Sequence, residues 1–111
     1  MEKLRVCIAG ATGWAGSELS RGVFEASDME LVAAISRSHA GRILGEVIGI
    51  EGLTTLVFSS VEEALITNPD VFVEYTKPDV AKQHVLAALK GVAHVVIGTS
   101  GLTNEDYQEI N

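Results

Sequence analysis

A short apolar run, Leu4-Arg5-Val6-Cys7-Ile8-Ala9, passes directly into Gly10-Ala11-Thr12-Gly13-Trp14-Ala15-Gly16. The run has no Gly or Pro before the loop and reads as a strand buried largely on both faces. Beyond the glycines, Ala15, Leu19, Val23 and Ala26 recur at helical spacing, which predicts a helix reaching Ala26 with these four on its packed face. A buried strand that hands over to a helix through three glycines creates an anion site. The first helical N–H groups and the positive end of the helix dipole point into it, and glycines let a diphosphate approach the backbone. The G-x-x-G-x-x-G spacing departs from the common G-x-G-x-x-G, and a tight turn with no ligand can carry it too. Its context favours a nucleotide, because a second apolar strand ends about twenty residues later, at the position that reads an adenosine ribose.

That second strand is Met29-Glu30-Leu31-Val32-Ala33-Ala34-Ile35, resumed after a break at Ser27-Asp28, with Ser36-Arg37-Ser38 at its carboxyl end. An acid here would accept hydrogen bonds from ribose hydroxyls, whereas an Arg with no acid beside it meets a 2′-phosphate. No carboxylate follows until Glu46. The expectation is NADPH, with NADH possible; a solvated surface arginine is the alternative reading of Arg37.

From His39 to Thr55 the chain holds Gly41, Gly45, Gly49 and Gly52 and no apolar period, which predicts a loop or irregular crossover, mobile or functional. Leu56-Val57-Phe58 reads as a short strand. Ser59 or Ser60 caps a helix over Val61 to Ile66, with Glu62 and Glu63 in its first turn and Asn68-Pro69 stopping it. Asp70 to Tyr75 is a largely apolar strand expected in the sheet interior, followed by Thr76-Lys77-Pro78-Asp79 and a helix from Val80 to Lys90 bounded by Pro78 and Gly91. His84 falls on the packed side of that helix and reads as a packing residue rather than a base. His94-Val95-Val96-Ile97 is a fifth strand. Gly98-Thr99-Ser100-Gly101 after it is either a plain turn or small residues that admit a flat ring. Thr103 caps a final helix in which the sequence stops at Asn111, an abrupt ending that leads us to expect a truncation or a separated domain.

The alternation of strands and helices predicts an α/β fold over residues 1–111, a Rossmann-like, doubly wound parallel sheet in three αβα layers. Its candidate ligand loops then share one carboxyl edge.

With 47% hydrophobic and 21% charged residues in 111, the composition is that of an ordinary globular domain. A formal net charge of −7, with no basic cluster, argues against nucleic acid as a partner. Cys7 is the sole cysteine and reads as a small core residue. No apolar run approaches the roughly twenty residues that span a bilayer, and the start lacks a signal-peptide pattern, so a cytoplasmic protein is expected.

Three segments together resemble a known family: Arg5 to Gly16, Asp70 to Pro78, and Val96-Ile97-Gly98-Thr99-Ser100-Gly101-Leu102. They look like the N-terminal half of 4-hydroxy-tetrahydrodipicolinate reductase, the dihydrodipicolinate reductase of lysine and diaminopimelate biosynthesis, and the likeness runs over essentially the whole chain. The resemblance implies a Rossmann domain for NAD(P)H and hydride delivery to a cyclic dicarboxylate imine derived from pyruvate and aspartate semialdehyde. Carried over, Gly10, Ala11, Thr12, Gly13, Trp14 and Ala15 would hold the diphosphate. Ser36 and Arg37 would meet the adenosine ribose, while Thr76, Gly98, Thr99 and Ser100 would line the nicotinamide. The family commonly has Arg-Met where this chain has Trp14-Ala15, often an acid at Ser36, and usually Gly-Thr-Thr-Gly where Ser100 stands third. Its substrate pocket, its His- and Lys-bearing proton-donor motif and its tetramer interface belong to a second domain, so these 111 residues are expected to be inactive alone. No catalytic residue and no metal ligand is assigned here. The residues themselves also admit a CoA-binding Rossmann domain, or the cofactor domain of another NADP-dependent dehydrogenase.

Overall fold

Val6, Cys7, Ile8 and Ala9 are all at most 3% exposed, because their strand has a neighbour on either side and a packed layer on either face. The computed structural model describes residues 3–74 and 94–97. In chain order these form β1 (Leu4–Ala9), α1 (Trp14–Glu25), β2 (Met29–Ile35), α2 (Leu44–Ile48), β3 (Val57–Phe58), α3 (Val61–Ala64) with a 3-10 turn at Leu65–Thr67, β4 (Val71–Glu74) and β5 (His94–Ile97). The strands make one parallel sheet in the order β3-β2-β1-β4-β5. Chain order runs outward from β1 in one direction and from β4 in the other. The switch point therefore lies between β1 and β4, where open sheets of this kind bind ligands beyond the carboxyl ends of the strands.

Two apolar cores flank the sheet. Val6, Ile8, Leu31, Ala34, Val57 and Val73 pack with Ala11, with Val23 of α1 and with Leu44, Ile50 and Leu53 around α2. Cys7, Ala9, Ala33, Ile35 and Phe72 pack on the other face with Val61 and Ala64 of α3. The result is the expected three-layer, doubly wound α/β arrangement. Strict alternation would put Leu31 and Ala33 on one face. Instead the β1–β2 register shifts between Val6 and Cys7, pairing Val6 with Leu31 and Cys7 with Ala33. The extra residue, Val32, is a bulge that switches β2 to the opposite phase before its carboxyl end.

β1, β2 and β5 occupy the spans expected from sequence. β3 begins at Val57 because Leu56 forms an isolated antiparallel bridge with Ile43. β4 starts after Asp70, whose carboxylate accepts from the Arg5 N–H at 2.9 Å while its own N–H donates to the Arg5 carbonyl at 2.8 Å. Ser60 caps α3, accepting from the Glu63 N–H at 3.2 Å, and the Ser59 hydroxyl donates to the Glu63 carboxylate at 2.7 Å. The expected helix to Ile66 tightens into the 3-10 turn after Ala64 and closes at Asn68, with φ +55°.

Two expectations need correction. The packed face of α1 is Gly16, Ser20 and Val23, with Leu19 beside them, whereas Ala15 is exposed. Small residues face the sheet because the helix lies too close to it for larger ones, and the buried Ser20 hydroxyl is satisfied by donating to the Gly16 carbonyl at 2.7 Å. The second is the segment from His39 to Thr55: of the loop or irregular crossover expected there, the structure has the crossover, and the correction is that it is built around a helix. It contains α2, closed by Gly49 in the left-handed region, and the N–H groups of Leu44 and Gly45 donate to the carbonyls of Thr55 (2.8 Å) and Leu53 (3.0 Å). The helices expected over Val80–Lys90 and after Thr103 lie outside the described residues.

Candidate functional site

At the carboxyl edge the register places Phe58, Ile35, Ala9, Glu74 and Ile97 side by side, one from each strand. The loop leaving Ala9 is built by its glycines. Gly10 has φ +82°, a conformation favouring glycine. Its N–H donates to the Ile35 carbonyl at 3.0 Å, tying the loop to the end of β2, and its carbonyl accepts from the Gly13 N–H at 3.1 Å, closing the turn. A Cβ on Gly16 would lie 1.9 Å from the Gly10 carbonyl oxygen, so helix and loop meet only because Gly16 has no side chain.

Gly13 differs from both. Its φ of −74° suits any residue, and a Cβ there would meet only the Gly10 oxygen, at 3.4 Å. The fold does not require glycine at this exposed position, while a ligand approaching the backbone does. Beyond it, the N–H groups of Trp14, Ala15 and Gly16 open α1 with no acceptor among the described residues, and the first turn carries no acid. A twelve-residue helix thus presents free donors and the positive end of its dipole to the switch point.

The end of β2, where an adenosine ribose is expected, stands next to this loop. The Thr12 hydroxyl donates to the Ser36 hydroxyl at 3.0 Å, and Nδ1 of His39 lies 3.5 Å from the same Ser36 oxygen. Arg37 follows, exposed. The structure therefore brings Gly10, Ala11, Thr12, Gly13, Trp14 and Ala15 together with Ser36 and Arg37. Ala11 is fully buried and belongs to the core. Thr76, Gly98, Thr99 and Ser100 lie outside the described residues. The strands leading to them, β4 and β5, end at the same edge.

Sequence reasoning missed two residues here. His39 was legible only as the start of a glycine-rich segment. Glu74 stood within an apolar strand, yet it is a fully buried carboxylate at the end of β4 beside Ala9. No buried side-chain polar atom among the described residues lacks a partner. Burial, with a contribution from Glu74, pushes the Cys7 thiol up to about 12, so this cysteine is a neutral core group rather than a nucleophile. Among the described residues no cluster of His, Cys, Asp and Glu is placed to hold a metal, and no helix is long and apolar enough to cross a membrane.

Comparison with known proteins gives the same picture. A 4-hydroxy-tetrahydrodipicolinate reductase of Syntrophomonas wolfei is 34% identical over 98% of this chain, which spans 41% of that relative. The solved dipicolinate-bound dihydrodipicolinate reductase of Paenisporosarcina sp. TG-14 superposes with a TM-score of 0.78 at 32% identity, covering 97% of this chain and 42% of that one. GenD2 from gentamicin A biosynthesis, solved with NAD, reaches a TM-score of 0.80 over 99% of this chain and 31% of its own, and at 15% identity shows a shared fold. The chain spans less than half the length of these relatives. The family described as dihydrodipicolinate reductase, N-terminus, matches residues 4–111, and the chain belongs to that family.

Proposed function

We propose that this chain binds NADPH, with NADH as a weaker alternative, for a reductase that passes hydride to a cyclic dicarboxylate imine, the reaction of 4-hydroxy-tetrahydrodipicolinate reductase. One observation carries the cofactor reading: α1 opens with three N–H groups that have no acceptor among the described residues, directly after a glycine, Gly13, that neither its own φ nor its surroundings require. The residues present fit the group. The Gly10–Ala15 backbone offers donors to a diphosphate, and Ser36 and Arg37 stand where the adenosine ribose would lie, with a cation and no acid for a 2′-phosphate.

When bound, NADPH supplies the hydride. The work of this chain is to hold and orient it, the diphosphate on α1 and the adenosine end between Thr12, Ser36 and Arg37. Thr76 and Gly98 to Ser100 are assigned to the nicotinamide. Hydride transfer also needs an oriented acceptor and neutralisation of its developing charge. We assign those roles, with the proton donor and a homotetramer interface, to a substrate domain on a longer chain. The relatives named as this reductase, and the dipicolinate bound to the Paenisporosarcina enzyme, support the choice of substrate class. The same reading sets the protein in the cytoplasm, with a nucleotide and a small dicarboxylate as its ligands.

Trp14 supplies the test, since it opens α1 and is 91% exposed. Its fluorescence is followed while NADPH, NADH and CoA are titrated in turn, with correction for ligand absorbance. Saturable quenching by NADPH, stronger than by NADH and absent with CoA, is expected. A preference for CoA would convert the assignment to a CoA-binding domain, and a response to none would remove it.

A further inference from the structure

The hydroxyl of Ser36 is already committed. It accepts from Thr12 at 3.0 Å and has Nδ1 of His39 on its other side at 3.5 Å. With Nδ1 turned to Ser36, the other ring nitrogen, Nε2, is the one left for a ligand, and Arg37 supplies a guanidinium from the same turn. Two donors without a carboxylate suit a group that only accepts, such as a phosphate monoester, better than a ribose 2′-hydroxyl, which must also donate.

The backbone holds His39 in place. Its carbonyl accepts from the Arg42 N–H at 3.2 Å, closing a turn. Gly41, with φ +87°, donates to the Val57 carbonyl at 2.8 Å, and the Val57 N–H donates to the Arg42 carbonyl at 2.9 Å. The turn is thereby clamped to the start of β3, and the half-buried ring is set against Ser36.

We infer that His39 is a specificity-determining residue of the adenosine end, donating from Nε2 to the 2′-phosphate that distinguishes NADPH from NADH. The inference rests on the cofactor reading above, and its test separates the two. Adenosine 2′,5′-bisphosphate and adenosine 5′-monophosphate differ only in the 2′-phosphate. Binding of both to the 111-residue chain is measured by calorimetry for the unaltered protein, His39→Ala and His39→Gln, with thermal melts of each as a control for folding. The unaltered chain should prefer the bisphosphate. His39→Ala should cut that preference roughly tenfold, as expected for one charge-assisted hydrogen bond, with the monophosphate little affected. His39→Gln, which keeps an N–H donor at that reach, should retain most of it. An unchanged preference in His39→Ala, or a His39→Gln no better than His39→Ala at an unaltered melting temperature, overturns the role of His39 while leaving cofactor binding intact. Equal binding of both nucleotides to the unaltered chain overturns it too. Binding of neither would remove the cofactor reading itself.

Discussion

The hydroxyl of Thr12 donates to the hydroxyl of Ser36 across 3.0 Å, joining the glycine loop after β1 to the turn after β2, 24 positions along the chain. The bond closes the corner in which an adenosine ribose would sit, so its loss should be felt in stability and in binding. Thr12→Val is expected to cost about 0.5–1.5 kcal/mol and to weaken NADPH. Thr12→Ser should restore both. Chemical denaturation alongside a nucleotide titration checks this; a Thr12→Val protein as stable and as tight-binding as the unaltered chain would show that the hydroxyl bond does not hold the corner.

The glycines of the loop should separate by their effects. Gly16→Ala forces a methyl into the Gly10 carbonyl and is expected to cost about 3 kcal/mol or more. Gly13→Ala should leave stability within about 1 kcal/mol while lowering nucleotide affinity about tenfold. Melting curves and titrations on the two variants read this directly. Full affinity in Gly13→Ala would mean that the open space there serves no ligand.

Arg37→Ala should weaken NADPH roughly tenfold or more and NADH less than about twofold, because only the former carries the 2′-phosphate. Fluorescence titration of both cofactors decides it. Equal losses would return Arg37 to the solvated surface.

Much of the layout was legible from runs and their breakers. β1, β2 and β5 are short apolar stretches ended by Gly10, Ser36 and Gly98, so their limits could be placed. The packed face of α1 could not, because a helix pressed against a sheet buries Gly16 and Ser20 in place of large apolar residues. α2 has five residues, too few to show a period, and is held by long-range bonds from Leu44 and Gly45. The glycine loop between β1 and α1 announced itself through local glycine spacing. The Thr12–Ser36–His39 corner could not, since it depends on sheet register.

Cys7 gives a prediction in pH. Its thiol rises from 9.0 to about 12 in the folded chain, so the native state holds a proton that the unfolded state releases. Stability from this group is intact below pH 9 and declines as pH rises towards 12, by at most about 1.4 kcal/mol per unit. Denaturation from pH 8 to 10.5 should show this decline, shallower in Cys7→Ala. The native thiol should also resist alkylating reagents at pH 8 and react once the chain is unfolded.

The bulge at Val32 has a consequence for engineering. By inserting one residue it fixes which side of the sheet Ser36 emerges on, and only that side carries Thr12 and α1. If the bulge were flattened with Val32 kept, so that Val32 paired with Cys7, everything after it in β2 would invert and Ser36 would turn away from the glycine loop, whereas deleting Val32 would leave Ala33 on Cys7 and Ser36 on its present side. An exchange of cofactor preference between relatives therefore has to align the terminal pair by its register against β1 and not by a residue count from Met29; grafting Ser36-Arg37 one position out of that register would deliver the right side chains to the wrong side of the protein.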